Sequence, residues 1–194
     1  MTESIKKKLE EIKKKLDSTD WETVNSQAIE EYVRQLEQLF AYEETRIDNV
    51  ESKSTTIIGA SGLIATFVFG IVGLYQKSPV TINRAVLVVA GFLVLASLIL
   101  LLFTILFSLR VRGIKKYWYP SNIDSILDGM TLTIEDIRKE RLIDLVGSLT
   151  NNFEITNEKV DDLRVSQKLF FGAVTLVILD ALMIVAYSLI NICK

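Results

Sequence analysis

The sequence predicts an all-α integral membrane protein with three transmembrane helices and a cytosolic helical stalk or bundle. Apolar and charged residues lie in separate stretches, although 49% of the 194 residues are hydrophobic and 24% are charged. Three apolar stretches reach 23 to 25 residues, and about 20 helical residues cross a hydrocarbon core of about 30 Å. They lack the apolar and polar alternation of β-barrel strands, and the core helices of soluble proteins seldom run this long without a polar face.

Residues 1–53 are predicted to form cytosolic helices. An apolar stripe recurs at helical spacing on a lysine-rich first helix, at Ile5, Leu9, Ile12 and Leu16. We expect this stripe to pack on another helix, and an anionic membrane surface is the alternative. Residues 17–20 break the pattern. Because no Pro or Gly lies between Met1 and Ile58, a second helix is predicted to continue through the first span to Gln76.

The three spans are predicted at residues 54–76, 85–109 and 169–193, and a short external loop at 77–84 turns the first two into a hairpin. Residues 110–168 are predicted to be a cytosolic helical region. Thr133 and Asp136 resemble a capping pair at a helix start. Asn151 and Asn152 predict a break or a bend, and a last helix is predicted to begin near Glu154 and continue into the third span.

The distribution of basic residues predicts the orientation of the chain. Of the 22 Lys and Arg residues, 19 lie before the first span or between the second and third spans. Basic residues accumulate on the cytosolic side of a membrane. We therefore expect an amino terminus inside and a carboxyl terminus outside.

A basic cluster followed by aromatic residues comes after the second span. Such a cluster is typical of the headgroup layer, and a specific pocket for an anionic lipid is the alternative. The residues of this predicted interfacial anchor are Arg110, Arg112, Lys115, Lys116 and Trp118.

Small residues follow one another along one face of the first span. After Thr55 they recur every three or four positions, at Gly59, Gly62, Thr66, Gly70 and Gly73. Spans have little hydrophobic drive to associate in lipid, so close approach at small residues is a principal way to pack them. The stripe predicts a tight helix contact, which lies within one chain, between subunits, or along a pore.

Asp180 lies near the middle of the third span, where a charged carboxylate is costly. It is expected to face protein or water. Tyr187, on the same helical face, and the threonines of the first span are candidate hydrogen-bond partners. Asp180 is then either a neutral acid with one buried hydrogen bond or a group that acts in ion permeation, proton sensing or gating.

The residue types that the sequence lacks exclude several classes of enzyme and metal site. The chain has no histidine and a single cysteine, Cys193, so a Ser-His-Asp triad, a Cys-His pair and His-ligated metal sites are excluded. No phosphate-binding glycine motif is present. Carboxylate chemistry is the alternative left open by four acidic residues, which we expect instead to be a solvated helix face: Glu135, Asp136, Glu140 and Asp144. We predict no enzymatic activity, no catalytic residue, no cofactor, no metal site and no direct nucleic-acid partner.

The order of features resembles a known family. Residues 46–54 read RIDNVESKS and lead into the glycine-rich span; a second span, Tyr119-Pro120, a helical segment, residues 157–159 (NEK) and a last span follow. This layout, over residues 40–192, resembles the small helical membrane proteins of prokaryotic antiviral defence loci, including Pycsar-type transmembrane effectors. The resemblance implies a multi-pass protein of the inner (plasma) membrane that oligomerises and either disrupts the membrane or senses infection.

Two functional hypotheses follow. The first is a non-enzymatic effector or sensor whose spans form a homo-oligomer in the lipid bilayer and respond, like a gated channel, to a cytosolic signal. The second is a membrane scaffold that recruits a soluble cytosolic partner protein through the lysine-rich first helix and residues 135–149. A small transporter fits less well, because three spans offer no inverted repeat.

Overall fold

The structure is a computed structural model that describes residues 2–18, 26–77, 84–113, 117–120 and 133–192. These residues form four helices and include no strand, which confirms the all-helical class. The external loop predicted at 77–84 and the anchor residues Lys115 and Lys116 fall largely or wholly outside the described residues. The helices are α1 (Thr2–Asp17), α2 (Ser26–Lys77), α3 (Arg84–Arg112) and α4 (Ile134–Ile192).

The chain divides into two compact units. The first unit consists of Met1–Asn49 and Ile114–Lys159, and the second of Val50–Gly113 and Val160–Lys194. Helices α2 and α4 contribute residues to both units, whereas α1 belongs to the first and α3 to the second. Each unit has a hydrophobic core of its own.

The long second helix predicted from the sequence is confirmed, since α2 runs for 52 residues without a break. A break at Asn151 and Asn152 and a helix start near Glu154 are both wrong, because α4 begins at Ile134 and passes through these positions. Asn151 is exposed, and the side chain of Asn152 bonds another segment and leaves the helix ladder intact. The capping pair is confirmed: the Asp136 amide donates to Thr133 Oγ1 at 3.3 Å, one residue before α4 begins.

Helices α1, α2 and α4 form the core of the first unit. Leu9 of α1 is buried there, so the predicted apolar stripe packs on other helices at this position. Val33 and Phe40 of α2 flank the core. Full burial of a valine or leucine side chain stabilises a fold by about 1.5–3 kcal/mol. The buried residues of this core are Leu9, Leu36, Leu142, Leu145, Val146 and Leu149.

Residues 117–120 lie against α4 through hydrogen bonds. Asn152 Oδ1 accepts from the Trp118 amide at 3.0 Å, and its Nδ2 donates to the Trp118 carbonyl at 2.9 Å. The Tyr117 and Thr156 hydroxyls are 2.7 Å apart, and Arg141 donates to the Pro120 carbonyl at 3.1 Å. A segment without regular structure has no helix or sheet bonds for its main-chain groups, and these hydrogen bonds to α4 satisfy some of them.

The second unit contains α3 and parts of α2 and α4, around a core of Val50, Val111 and Leu163. Its outer surface is apolar: Leu63, Phe92 and Phe171 are 75%, 70% and 67% exposed. Each of the three helices contains a stretch that is long and apolar enough to cross a membrane. An apolar exterior of this kind is what lipid chains require of a spanning unit.

Candidate functional site

A line of buried polar residues runs through the interior of the second unit, and we call it the polar seam. Seven residues define it, each at most 7% exposed, and six of them carry only a hydroxyl. Their burial is the reverse of the pattern in a water-soluble core, because the unit keeps its polar groups inside and its large apolar groups outside. The polar seam consists of Ser54, Ser61, Ser97, Thr104, Ser108, Ser166 and Asp180.

Part of the polar seam links all three helices of the unit. Ser54 Oγ on α2 donates to the Ser108 carbonyl on α3 at 2.7 Å. The hydroxyls of Ser108 and Ser166 are 2.6 Å apart, and Ser166 Oγ on α4 lies 3.1 Å from the Thr104 carbonyl. Interhelical bonds of this kind contribute about 0.6 kcal/mol each on average in membranes. They fix which faces of the helices meet.

The buried positions of the second unit recur at intervals of seven residues, which is typical of helices that pack at shallow angles. Small side chains at these positions allow close packing of the helices. Gly172 of α4 lies beside α3, since a Cβ atom added there would be 3.5 Å from Leu100 Cδ1, an ordinary van der Waals distance. The three series are Ser54, Ser61 and Val68 on α2; Ser97, Thr104 and Val111 on α3; and Ser166, Ala173 and Asp180 on α4.

Asp180 is the single ionisable residue of the polar seam. Its side chain borders a cavity of about 10 Å³ that is also lined by Val68, Val94, Ser97 and Val177. About one water molecule fits a cavity of this size. Oδ1 of Asp180 is buried and has no hydrogen-bond partner among the described residues.

The partners predicted for Asp180 differ from its neighbours in the structure. The threonines of the first span are exposed, and Thr55 and Thr66 donate to carbonyls of their own helix at 3.0 and 2.9 Å. Tyr187 is half-buried and does not line the cavity. Ser97, on the second span, is the hydroxyl-bearing residue that borders the cavity, and its Oγ donates to the Val94 carbonyl at 2.8 Å.

The small-residue stripe of the first span faces away from the polar seam. Gly59, Gly62, Thr66, Gly70 and Gly73 are all exposed within the chain. A Cβ atom added at any of the four glycines would have no described atom within 4 Å outside its own stretch of helix. The predicted tight contact is therefore absent between described residues of one chain.

The predicted anchor residues that the structure describes are exposed. Arg110 and Arg112 lie in the last turn of α3, where positive charge favours the helix C-terminus. The Arg110 guanidinium is 5.5 Å from the ring centroid of Phe107. Trp118 is 57% exposed and belongs to the first unit.

Asp180 was predicted as a site residue, whereas the six hydroxyl residues of the polar seam were not. Serine is common in membrane helices, so the residue type alone does not indicate a buried position. A usable signal was the spacing: Ser54 and Ser61 are seven residues apart, as are Ser97 and Thr104, and Ser166 precedes Asp180 by fourteen. Polar residues that keep a seven-residue interval inside apolar spans share one buried face.

The described residues hold no group of three or more His, Cys, Asp or Glu side chains that could bind a metal ion. The chemistry that the polar seam offers is limited to hydroxyl groups, main-chain carbonyls and one carboxyl group. These groups exchange protons and bind water.

Comparison with known proteins identifies the family. Residues 17–188 match the family model of the Pycsar effector protein domain. The match includes the described helices α2 and α3 and almost all of α4, and it leaves out α1 except for its last residue. No curated protein and no solved structure matches the chain. The chain therefore belongs to the Pycsar effector family and is a membrane effector of antiviral defence.

Proposed function

We propose that the protein is a non-enzymatic effector or sensor of the inner membrane that forms homo-oligomers and opens or perturbs the membrane on a cytosolic signal. The observation that carries this proposal is Asp180. Its Oδ1 atom is buried without a described partner inside the second unit. A carboxyl group in this position lowers stability unless water or another group reaches it. Residues retained at such a cost are often functional.

The orientation belongs to the proposal. With 19 of its 22 basic residues in the two segments predicted to be cytosolic, the chain would keep its amino terminus and the first unit in the cytosol. The cytosolic signal would then act on the first unit. Because α2 and α4 each carry residues of both units without a break, a displacement of these helices would reach the polar seam directly.

Homo-oligomerisation rests on the exposed small-residue stripe. Glycine weakens a helix by about 1 kcal/mol relative to alanine, and four glycines here make no described contact that requires them. A second copy of the chain would use the close approach that they allow. In this assembly a rotation of α2 would change the subunit contact and the polar seam together.

A first test is membrane potential, followed with a dye in cells that carry the gene and its genomic neighbours during phage challenge. We expect rapid depolarisation with the unaltered protein. Asp180→Asn should slow it at least roughly tenfold, which corresponds to a barrier raised by about 1.4 kcal/mol or more. Gly62→Leu should weaken it by blocking close approach.

Matched controls are available on the same helices. Thr175 is exposed on α4 and donates to the Phe171 carbonyl of its own helix, so Thr175→Val should leave depolarisation unchanged. Phe67 is 62% exposed and lies off the stripe, so Phe67→Leu should behave in the same way. If Asp180→Asn and Gly62→Leu both leave activity untouched at normal protein levels, the gating mechanism is wrong.

The second candidate is the membrane scaffold. It would use the polar faces of α1 and of residues 135–149, since the apolar faces at Leu9, Leu142 and Leu149 are packed in the first unit. The exposed lysines of α1 supply a positive surface for an acidic partner protein. Deleting residues 2–17 should then abolish partner co-purification and protection together, while Asp180→Asn should be mild and no depolarisation should occur.

A further inference from the structure

We propose that protons are the ions that this effector conducts, and that they pass through the interior of each subunit by way of a water molecule held at Asp180. The inference rests on the effector function proposed above and adds the permeating species and the route. A pore between subunits would instead be lined by surfaces that are exposed in one chain. The polar seam is buried in a single chain.

The cavity beside Asp180 is the first argument. The cavity has a volume of about 10 Å³, and one water molecule needs about that much. Oδ1 of Asp180 is an acceptor without a described partner, and water donates hydrogen bonds. A bound water would satisfy an atom that otherwise remains desolvated at a cost of about 1–3 kcal/mol or more.

The lining of the cavity is the second argument, because it sets which ions fit. Three of the five lining residues are valines, and the polar lining comes from Asp180 and Ser97. An alkali cation that sheds its hydration shell needs a ring of oxygen ligands in its place. Two polar side chains do not supply one, whereas a proton needs only a carboxylate and a water.

The rest of the polar seam supplies the continuation of the route. Each hydroxyl both donates and accepts a hydrogen bond, so it can take a proton on one side and release another on the opposite side. The hydroxyls of Ser108 and Ser166 are already in contact at 2.6 Å. Ser61 Oγ is a second buried atom of the polar seam without a described partner.

The transfer itself is a simple exchange. The Asp180 carboxylate accepts a proton from a hydronium ion, which becomes water, and the resulting O–H later gives that proton to a water on the other side. No electron moves and no bond other than O–H changes. Ser97 and Thr104 are seven residues apart, about 10 Å by the standard helical rise, so additional water must join them when the signal opens the unit.

The experiment combines two probes in cells challenged with phage in a medium of pH 6. A potential dye reports depolarisation, and a pH-sensitive fluorescent protein reports cytosolic pH. Each culture is also tested with N-methylglucamine replacing sodium and potassium. We expect depolarisation and cytosolic acidification to rise together and to persist without alkali cations. At an external pH equal to the cytosolic pH, only the membrane potential drives protons inward, so acidification should be smaller and should stop as the cells depolarise.

Variants test the route. Asp180→Asn should abolish acidification, Asp180→Glu should retain much of it, and Ser97→Ala should slow it several-fold. Thr175→Val, which changes an exposed hydroxyl on the same span, should have no effect. Immunoblots of the membrane fraction check that each variant is inserted at the normal level, and Asp180→Glu guards against a folding defect caused by change at this position.

The outcomes separate the two proposals. Depolarisation without acidification, or depolarisation that requires sodium or potassium, overturns the proton route and leaves the effector function standing. Acidification that survives Asp180→Asn also overturns the route. Protected cells that show no depolarisation overturn the effector function and the proton route with it.

Discussion

Asn152 shows how one side chain connects segments that are far apart in the sequence. Its amide makes two hydrogen bonds to the main chain of Trp118, at 3.0 and 2.9 Å, across 34 residues. The side chain is 1% exposed, so water cannot easily replace it. Both Trp118 main-chain groups would lose a partner if the amide were removed.

We therefore expect Asn152→Ala to destabilise the protein by about 2 kcal/mol, since an unpaired main-chain group costs about 1–3 kcal/mol. For a chain of this length the melting temperature should fall by roughly 4–8 °C. Thermal unfolding of the purified protein in detergent, followed by circular dichroism, measures the change. Asn151→Ala is the control, because Asn151 is exposed on the same helix; an equal loss in both variants would contradict the role of the Asn152 amide.

The same residue marks a limit of sequence analysis. Asn-Asn is a poor helix pair by propensity, and the predicted break at Asn151 and Asn152 followed from that local preference. Tertiary bonds decide otherwise at Asn152. Asp180 was predictable as a buried polar group because its charge is conspicuous in an apolar span, whereas the choice of Ser97 over Tyr187 as a neighbour depends on which helices pack together.

At the scale of elements, α1 is a short helix whose Leu9 packs in the core of the first unit. Its lysine side chains at Lys7, Lys8 and residues 13–15 are exposed, and Leu9 is 5% exposed in the core. An isolated helix of 16 residues is marginal in water. Packing at Leu9 therefore contributes much of what keeps α1 folded.

Leu9→Ala should release α1 from the first unit. Replacing a buried leucine by alanine costs about 2–5 kcal/mol, which is comparable to the whole stability of a docked short helix. Hydrogen exchange followed by mass spectrometry should show faster exchange over residues 2–17, with little change in α3. Lys8→Ala, at an exposed neighbouring position, should leave exchange as it is. Uniformly faster exchange along the chain would mean that Leu9 supports the entire fold.

The existence of α2, α3 and α4 was predictable from the length and apolar composition of their spans. A helix start at Thr133 and Asp136 was predicted too, but not that this helix continues into the third span. The internal packing of the second unit was harder to predict from the sequence. The glycine-rich face of α2 was the expected contact within or between chains, yet the described chain packs α2 through Ser54, Ser61 and Val68. Small size alone does not tell which of two small-residue faces is used inside.

At the scale of the whole molecule, the orientation in the membrane is the main prediction open to a direct test. The chain has one cysteine, Cys193, next to its last residue. With the amino terminus inside, a membrane-impermeant maleimide should label Cys193 in intact spheroplasts. In a Cys193→Ser background, Ser18→Cys places the thiol at an exposed position after α1.

That variant should react only after the spheroplasts are lysed, because the positive-inside rule places this end in the cytosol. Labelling of both proteins in lysed cells is the control for thiol reactivity. The reverse pattern, with Ser18→Cys labelled in intact spheroplasts, would invert the topology. The cytosolic signal would then have to act on a different part of the chain.

The seven-residue interval of buried positions means that the two ends of a long helix must keep a fixed rotation about the helix axis relative to each other. On α2 it includes Ile29, Leu36, Glu43 and Val50, and a second series continues through Ser54 and Ser61 to Val68. One inserted residue turns everything beyond it by about 100°, whereas seven inserted residues restore the original face to within about 20°. Insertions of increasing length near Val50 should therefore impair and restore activity periodically if torsion of the helix carries the signal.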